Sequence, residues 1–279
     1  MTDRRIAVTG VTGEIGRRVA HRLAGQERPL RLLARDPARA PQLPGSELRV
    51  ADYADGEAMR AALLGVDTLL LVSAAEHPDR VGLHQTAVDA AVAAGVSRIV
   101  YTSFLNASAE ATFTFARDHW HTEQYLRACG VDYTFLRNSL YQDLLPTFVG
   151  PDGVLRGPAG DGRVSAVTRD DVAEVAVAVL TNPEHRGETY DVTGPEALSL
   201  TEVAELLTNL TGQPVSYHAE TVAEAYESRA GYEAPAWLVA GWVSTYTAIA
   251  AGELATVSDT VHRLTGRPPT RFADFLTQR

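Results

Sequence analysis

The sequence predicts an α/β protein: an open, doubly wound parallel sheet followed by a small, mostly helical C-terminal lobe. Three observations carry that prediction. Short apolar runs alternate with helix-period stretches through the first half of the chain. The first run, Ile6 to Val8, stops at a turn bearing Gly10, Gly13 and Gly16, after which Val19, Ala20 and Leu23 take up helical spacing. A later run, Asp67-Thr-Leu-Leu-Leu-Val-Ser73, is almost wholly apolar, as a central parallel strand buried on both faces requires.

A strand, a tight glycine turn and a helix start together let backbone N–H groups approach a pyrophosphate. The sheet is therefore expected to be of the Rossmann type, with Gly10, Thr12, Gly13, Glu14, Ile15 and Gly16 around a dinucleotide. The second strand, Pro29–Ala34, ends at Arg35-Asp36-Pro37. Arg35 stands 25 residues past Gly10, where an arginine suits a ribose 2′-phosphate. Arg17 and Arg18 can add positive charge from the first helix, while Asp36 can instead meet a ribose hydroxyl. NADPH is the expected cofactor, with NADH possible.

The third strand, Leu48 to Tyr53, carries Asp52 at its carboxyl end, suited to the adenine amino group or to capping a turn. Helix Asp55–Leu64 leads into the apolar fourth strand, which ends in Ser73-Ala74-Ala75, small residues where a cofactor backbone must pass. A helix from Arg80 to Ala94 closes at Gly95. The fifth strand, Arg98–Ser103, places the hydroxyls of Thr102 and Ser103 where a carboxamide or an acceptor oxygen would sit. A helix from Phe115 to Ala128 and a sixth strand, Val131–Arg137, precede Asn138-Ser-Leu-Tyr141.

Past Asp143 the alternation loosens into two turn-rich segments, Gly150–Gly153 and Gly157–Gly162, around a short extended piece. A helix follows over Asp170–Leu180, with Asp170 and Asp171 suiting the helix dipole. A strand is expected at Glu188–Val192, and Ser199-Leu-Thr-Glu202 fits a capping box before Val203–Leu210. Further helices are expected near Val222–Ala230 and Trp237–Ala251. The expected division is a dinucleotide-binding core over 1–145, rejoined by the strand near 188–192, and a substrate-binding lobe over 146–279.

Composition narrows the function. At 279 residues and 45% hydrophobic content the chain can bury a sizeable core, and its net charge of −10 argues against nucleic acid as main partner. No stretch approaches roughly 18 apolar residues and no signal pattern opens the chain, so a cytoplasmic protein without membrane association is expected. Cys129 is the only cysteine, which leaves no disulfide framework or cysteine metal cluster, and no metal site is expected. All 25 basic residues are arginine; there is no lysine. The arginine- and alanine-rich composition hints at a GC-rich bacterial genome.

Thr9-Gly-Val-Thr-Gly-Glu-Ile-Gly16 resembles the NmrA-like atypical short-chain dehydrogenases. So do Tyr101-Thr-Ser103, Ala116-Arg-Asp-His-Trp-His-Thr-Glu123 and Leu136-Arg-Asn-Ser-Leu-Tyr141. With Gly160–Asp170 and the tail Val257–Pro268, the likeness is to the branch of quinone oxidoreductase type 2 and triphenylmethane reductase, over essentially the whole length. The resemblance implies an NADPH-binding Rossmann domain, a small C-terminal domain and a substrate cleft between them. It implies hydride delivery to quinones or related flat, conjugated small molecules; a monomer or homodimer is expected. The glycine turn, Arg35, Ser73, Ala74, Asn138 and Ser139 match positions where that branch holds NADPH. The wider group also contains regulators that bind the dinucleotide without turning it over.

Typical short-chain dehydrogenases use a Tyr-x-x-x-Lys pair, in which lysine lowers the tyrosine pKa. Without lysine no such pair exists. Many relatives in the wider group carry a lysine four residues before a glutamate on the helix after the fifth strand. Here that position is His119, with Glu123 at i+4 on the same helical face, placed to orient and charge the imidazole. His119, Glu123, Ser103 and Tyr141 are the catalytic candidates. Phe104, Phe113, Trp120, Trp237 and Trp242 can stack on a flat substrate or simply pack.

Acceptor chemistry decides how much acid is needed. A ketone accepting hydride becomes a strongly basic alkoxide, whereas a quinone becomes a phenol-like anion with a pKa near that of tyrosine, about 10. The latter can take its proton late, from water, so positioning and electrostatics supply most of the rate. The expectation is an NADPH-dependent reductase of quinones or similar acceptors. An NADP(H)-sensing regulatory protein and a biosynthetic ketoreductase or enoyl reductase acting on an aromatic intermediate are the alternatives.

Overall fold

The computed structural model describes residues 5–26 and 28–278. In chain order its elements are β1 (Ile6–Val8), α1 (Glu14–Ala24), β2 (Leu30–Ala34), β3 (Ser46–Val50), α2 (Gly56–Leu63) and β4 (Thr68–Leu71). Next come α3 (Arg80–Ala93), β5 (Arg98–Phe104), α4 (Thr114–Ala128), β6 (Asp132–Asn138), β7 (Val154–Gly157) and β8 (Arg163–Val164). The chain continues through α5 (Arg169–Thr181), β9 (Thr189–Val192), β10 (Leu198–Ser199), α6 (Leu200–Thr211) and β11 (Ser216–Ala219). It ends with α7 (Val222–Arg229), α8 (Ala236–Ala250), α9 (Thr260–Thr265) and α10 (Phe272–Thr277).

Seven strands form one sheet in the order β3-β2-β1-β4-β5-β6-β9. β1 pairs in parallel with both β2 and β4, so that Val8 stands beside Leu32 and Leu70. Strand order reverses between β1 and β4, and the carboxyl ends of two such strands diverge to leave a crevice for a ligand. The apolar run of β4 buries Leu69, Leu70 and Leu71 completely. On α1 the buried residues Ile15, Val19, Ala20 and Leu23 form the helix-period face that the sequence predicts. Beneath the sheet, Met59, Leu63, Leu69, Ile99, Leu126 and Phe135 join one hydrophobic cluster. Full burial of each such side chain contributes about 1.5–3 kcal/mol.

Arginines close helix ends against this sheet. Arg98, at the start of β5 and 2% exposed, donates from Nη1 to the carbonyls of Val179 (2.9 Å) and Asn182 (3.0 Å) at the end of α5. Arg31 does the same for Ala62 (2.8 Å) and Leu64 (2.7 Å) at the end of α2. A cation satisfies both the orphan carbonyls and the negative end of the helix dipole.

The chain divides into two compact units, and the division interleaves rather than falling at one point near residue 145. Met1–Ser103, Asp118–Arg137 and Val172–Tyr190 form the first unit; Phe104–Arg117, Asn138–Asp171 and Asp191–Arg279 form the second. The reason is topological: β5, β6 and β9 begin in the first unit and their last residues already belong to the second.

Within the second unit, α6 to α8 supply the expected helices, and Ser199 and Glu202 complete the capping box. The short extended piece expected between the two turn-rich segments is β7, which pairs in parallel with β11; β11 and the antiparallel pair β8 and β10 were not anticipated. Two-residue strands and the six-residue helices α9 and α10 are too short to show a period. Asp170 and Asp171 lie in the first turn of α5 as expected, and Asp171 has a further role. It is fully buried, accepts from Thr270 N (2.9 Å) and pairs with Arg267 (2.7 Å), tying the tail to the start of α5. Among the described residues no helix is long and apolar enough to cross a membrane.

Candidate active site

The turn after β1 is built by backbone demands. Gly10 has φ +62°, and a Cβ there would lie 3.1 Å from the Val72 side chain. At Gly16 an added Cβ would meet the Gly10 carbonyl oxygen at 2.4 Å and that of Thr9 at 2.5 Å. Helix α1 therefore approaches the end of β1 as closely as only glycine permits. Gly13 is the N-cap of α1, is exposed and brings no side-chain cap. Such a helix start, with N–H groups leading and a positive dipole end, is suited to a pyrophosphate. Ile15 is buried beneath it, Thr12 is half-buried and Glu14 is exposed. Glu14 pairs with Arg17 and Arg18; the Arg18 hydrogen bond lowers its pKa, burial opposes this, and the Arg17 hydrogen bond adds to the lowering.

Arg35 is exposed at the end of β2, next to a capping aspartate. The Asp36 carboxylate accepts from Ala38 N (3.0 Å) and that of Asp52 from Ala54 N (3.0 Å), so both cap local turns. Between these strand ends lies a bond the sequence did not suggest. The Tyr53 hydroxyl reaches Thr9 Oγ1 (2.5 Å) and donates to the Val72 carbonyl (2.7 Å), tying the exits of β1 and β4 together. Burial raises its pKa above the ordinary tyrosine value, with Arg35 pulling the other way.

The exit of β4 is held by side chains. Ser73 N donates to Thr102 Oγ1 (2.8 Å). Ala74 N donates to His84 Nε2 (2.9 Å), and Arg80 Nε donates to the Ala74 carbonyl (2.9 Å). Arg80 in turn reaches His119 Nε2 (3.1 Å), and His119 Nδ1 lies 2.9 Å from the Tyr101 hydroxyl.

These partners fix both tautomers. Guanidinium only donates, so His119 Nε2 accepts and its proton sits on Nδ1, directed at the Tyr101 oxygen. A backbone N–H only donates, so His84 also carries its proton on Nδ1. That proton faces Thr122 Oγ1 at 2.9 Å, and the Thr122 hydroxyl donates to the Asp118 carbonyl. Burial, then the Arg80 charge, lowers the His84 pKa to about 3; burial, Arg80 and His84 hold His119 well below the usual histidine value. Both rings are neutral.

The expectation that Glu123 charges the His119 imidazole is therefore corrected. Glu123, fully buried, accepts from Ser103 Oγ (2.6 Å) and from Arg137 Nε and Nη2 (2.8 and 2.6 Å), with Arg127 at 3.4 Å. Its carboxylate joins β5, α4 and β6, and the Ser103 hydroxyl proton is committed to it. Neither Ser103 nor His119 is poised as an acid. Thr102, 2% exposed, uses its hydroxyl oxygen to hold Ser73.

At the end of β6, Asn138 is buried and its Oδ1 has no hydrogen-bond partner among the described residues. A buried amide oxygen left unmatched costs about 1–3 kcal/mol, which a ligand donor would recover. Ser139 is buried with its N–H on the Val192 carbonyl (2.9 Å). Tyr141 is half-buried, with the Arg169 guanidinium 4.8 Å from its ring centre. Of the aromatic candidates, Phe104, Phe113 and Phe115 pack on one another, and Trp237 meets Phe115 edge-on at 6.2 Å. Trp120 packs against His121 and Trp242 against Tyr232.

Sequence reasoning missed Arg80, His84, Tyr101, Thr122 and Tyr53. A signal existed for three of them: Arg80 and His84 stand at i,i+4 on α3, and Thr122 stands at i,i+3 from His119 on α4, each pair on one helical face.

A sheet reversing at β1/β4, a glycine-built turn there and an uncapped α1 start define a dinucleotide-binding domain of the Rossmann class. A family profile described as NAD(P)H-binding matches residues 10–183, more than half of the chain, and the chain belongs to that family. It is 35% identical to quinone oxidoreductase 2 of Escherichia coli (strain K12), with 96% of each chain covered. It is 34% identical to the NAD(P)H azoreductase of Xenophilus azovorans, over 97% of this chain and 96% of that one. Among solved structures, the NADPH-dependent quinone oxidoreductase of Escherichia coli complexed with NADPH superposes with a TM-score of 0.89 at 34% identity, covering 98% and 99% of the two chains. Citrobacter triphenylmethane reductase complexed with NADP(H) gives 0.85 at 31% identity, covering 98% and 99%. These relatives come from the branch that the sequence motifs resemble.

Proposed function

We propose that this chain is an NADPH-dependent oxidoreductase that passes hydride to a quinone or a similar flat, conjugated acceptor. The Gly10–Gly16 turn takes the pyrophosphate, Arg35 the 2′-phosphate, and Ser73 and Ala74 border the cofactor on the β4 side. Asp52 is assigned to the adenine end, and the orphaned Asn138 oxygen and Ser139 to the nicotinamide end. NADPH supplies the hydride when bound; the chain's residues bind it, orient it and exclude water.

One observation carries the choice of acceptor: the lysine of a Tyr-Lys pair is missing, and two of the candidate donors, His119 and Ser103, are occupied. The chain has no lysine, His119 is neutral with Nε2 accepting from Arg80, and the Ser103 hydroxyl is spent on Glu123. A quinone needs none of them, because its reduced anion is weakly basic and takes a proton from water. The names of the relatives, reductases of quinones and of azo and triphenylmethane compounds, support the same class of flat acceptor.

The test is to mix pure protein with NADPH and a small panel of quinones while following nicotinamide absorbance. Oxidation should scale with enzyme concentration for quinones and be at least a hundredfold slower for simple ketones. Tight binding of NADPH and NADP+ with no acceptor accelerating oxidation would sink the reading.

A further inference from the structure

We infer that Arg80, His84 and His119 are positioning residues that clamp the Ala74 peptide and so fix the β4-side wall of the dinucleotide crevice. This rests on the reading above that Ser73 and Ala74 border the cofactor.

β4 ends at Leu71, and three polar backbone groups beyond it are taken by side chains: Ser73 N by Thr102, Ala74 N by His84 and the Ala74 carbonyl by Arg80. No ladder bond holds these groups, so the side chains alone set the conformation of the segment. Each is nearly sealed from solvent: Thr102 is 2% exposed, His84 0% and Arg80 8%. Losing any one would leave a half-buried backbone group without its partner.

The clamp has a second layer, supplied by α4. His119 receives Arg80 on Nε2, Asp118 stands 3.8 Å from the same guanidinium, and Thr122 receives His84 on Nδ1. His119, the residue at the position where relatives carry a lysine, thereby acts on the cofactor wall through Arg80. A neutral His119 suits this: a protonated ring would offer Arg80 no acceptor and place a second cation beside it. The location matters as much as the bonds. The clamped segment leaves the strand next to β1, on the far side of the switch point from the Gly10–Gly16 turn, and Val72 packs against Gly10. The turn fixes one wall by its backbone. The other wall is fixed by side chains, and at Ala74 those side chains are Arg80 and His84.

The clamp faces the part of the dinucleotide common to both cofactors, so its loss should not discriminate between them. The experiment titrates NADPH and NADH separately into wild-type protein, His84→Leu, His84→Gln and Arg80→Lys, with thermal unfolding of each cofactor-free protein alongside. Leucine removes the acceptor for Ala74 N; glutamine restores one. Expected is at least a tenfold loss of affinity for both cofactors in His84→Leu, by the same factor, and affinity within threefold of wild type in His84→Gln. Should His84→Leu fail to fold, Arg80→Lys decides: it keeps the charge but not the fork that joins Ala74 to His119, and should weaken both cofactors at least fivefold. Folded His84→Leu, or in its absence Arg80→Lys, with both affinities within threefold of wild type overturns the proposal. Arg35→Ala serves as the control for the underlying reading: a loss confined to NADPH there, with the clamp variants unaffected, removes the clamp and leaves the cofactor site standing. Failure of wild-type protein to bind either dinucleotide removes both.

Discussion

The two loops that flank the β1/β4 switch point solve one problem in opposite ways. After β1, the chain turns on glycines, and the constraint is local: a left-handed φ at Gly10 and a Cβ-free approach at Gly16. After β4, the constraint comes from 29 residues away for Thr102, from 10 for His84 and, through Arg80, from α4. A backbone-built wall tolerates no added atom. A side-chain-built wall tolerates exchange wherever hydrogen-bonding capacity is conserved.

The largest effect should come from breaking the backbone-built wall. Gly16→Val would push atoms into two carbonyl oxygens that belong to the backbone and cannot rotate away. A loss of about 3 kcal/mol in stability is expected, together with loss of measurable NADPH binding, checked by urea unfolding and by cofactor titration. Retained affinity would mean that the turn is not where the dinucleotide lies.

A smaller and more selective effect is expected at Arg35, which belongs to neither wall. Arg35→Ala should weaken NADPH about thirtyfold relative to NADH, the worth of one charge-assisted contact of about 2 kcal/mol. Equal losses for both cofactors would remove the 2′-phosphate assignment.

Legibility followed the same divide. The seven strands of the main sheet, helices α1 to α8 and the glycine turn were readable because each depends on residues within one short window: period, cap or φ requirement. His119 and Glu123 were noticed for their i,i+4 spacing, yet their partners were misassigned. Glu123 is claimed by Arg137 across the sheet and His119 by Arg80 from α3, and no local window contains those pairs. Tyr53 escaped for the same reason: its partners Thr9 and Val72 lie on two other strand exits. The short strands β8, β10 and β11 exist through pairing with distant segments, not through pattern.

The smallest effect concerns the protonation state of the side-chain-built wall. His84 is held neutral with a pKa of about 3, against about 6.5 in the unfolded chain. A histidine depressed on folding leaves the unfolded state with more bound protons between those values, so stability is lost as pH falls through about 6.5. From pH 7 to pH 5.5 the cost from His84 alone should be about 1 kcal/mol, and His119 adds in the same direction. Urea unfolding at the two pH values checks this, and His84→Gln should show a shallower dependence. An unchanged slope in that variant would mean that His84 is not the group responsible.

Amide hydrogen–deuterium exchange with and without NADPH asks directly whether both loops enclose the dinucleotide. Exchange should slow on cofactor addition in peptides covering residues 9–18 and in those covering 72–76, the two exits at the switch point. Saturating NADPH that leaves both segments unprotected would contradict the account.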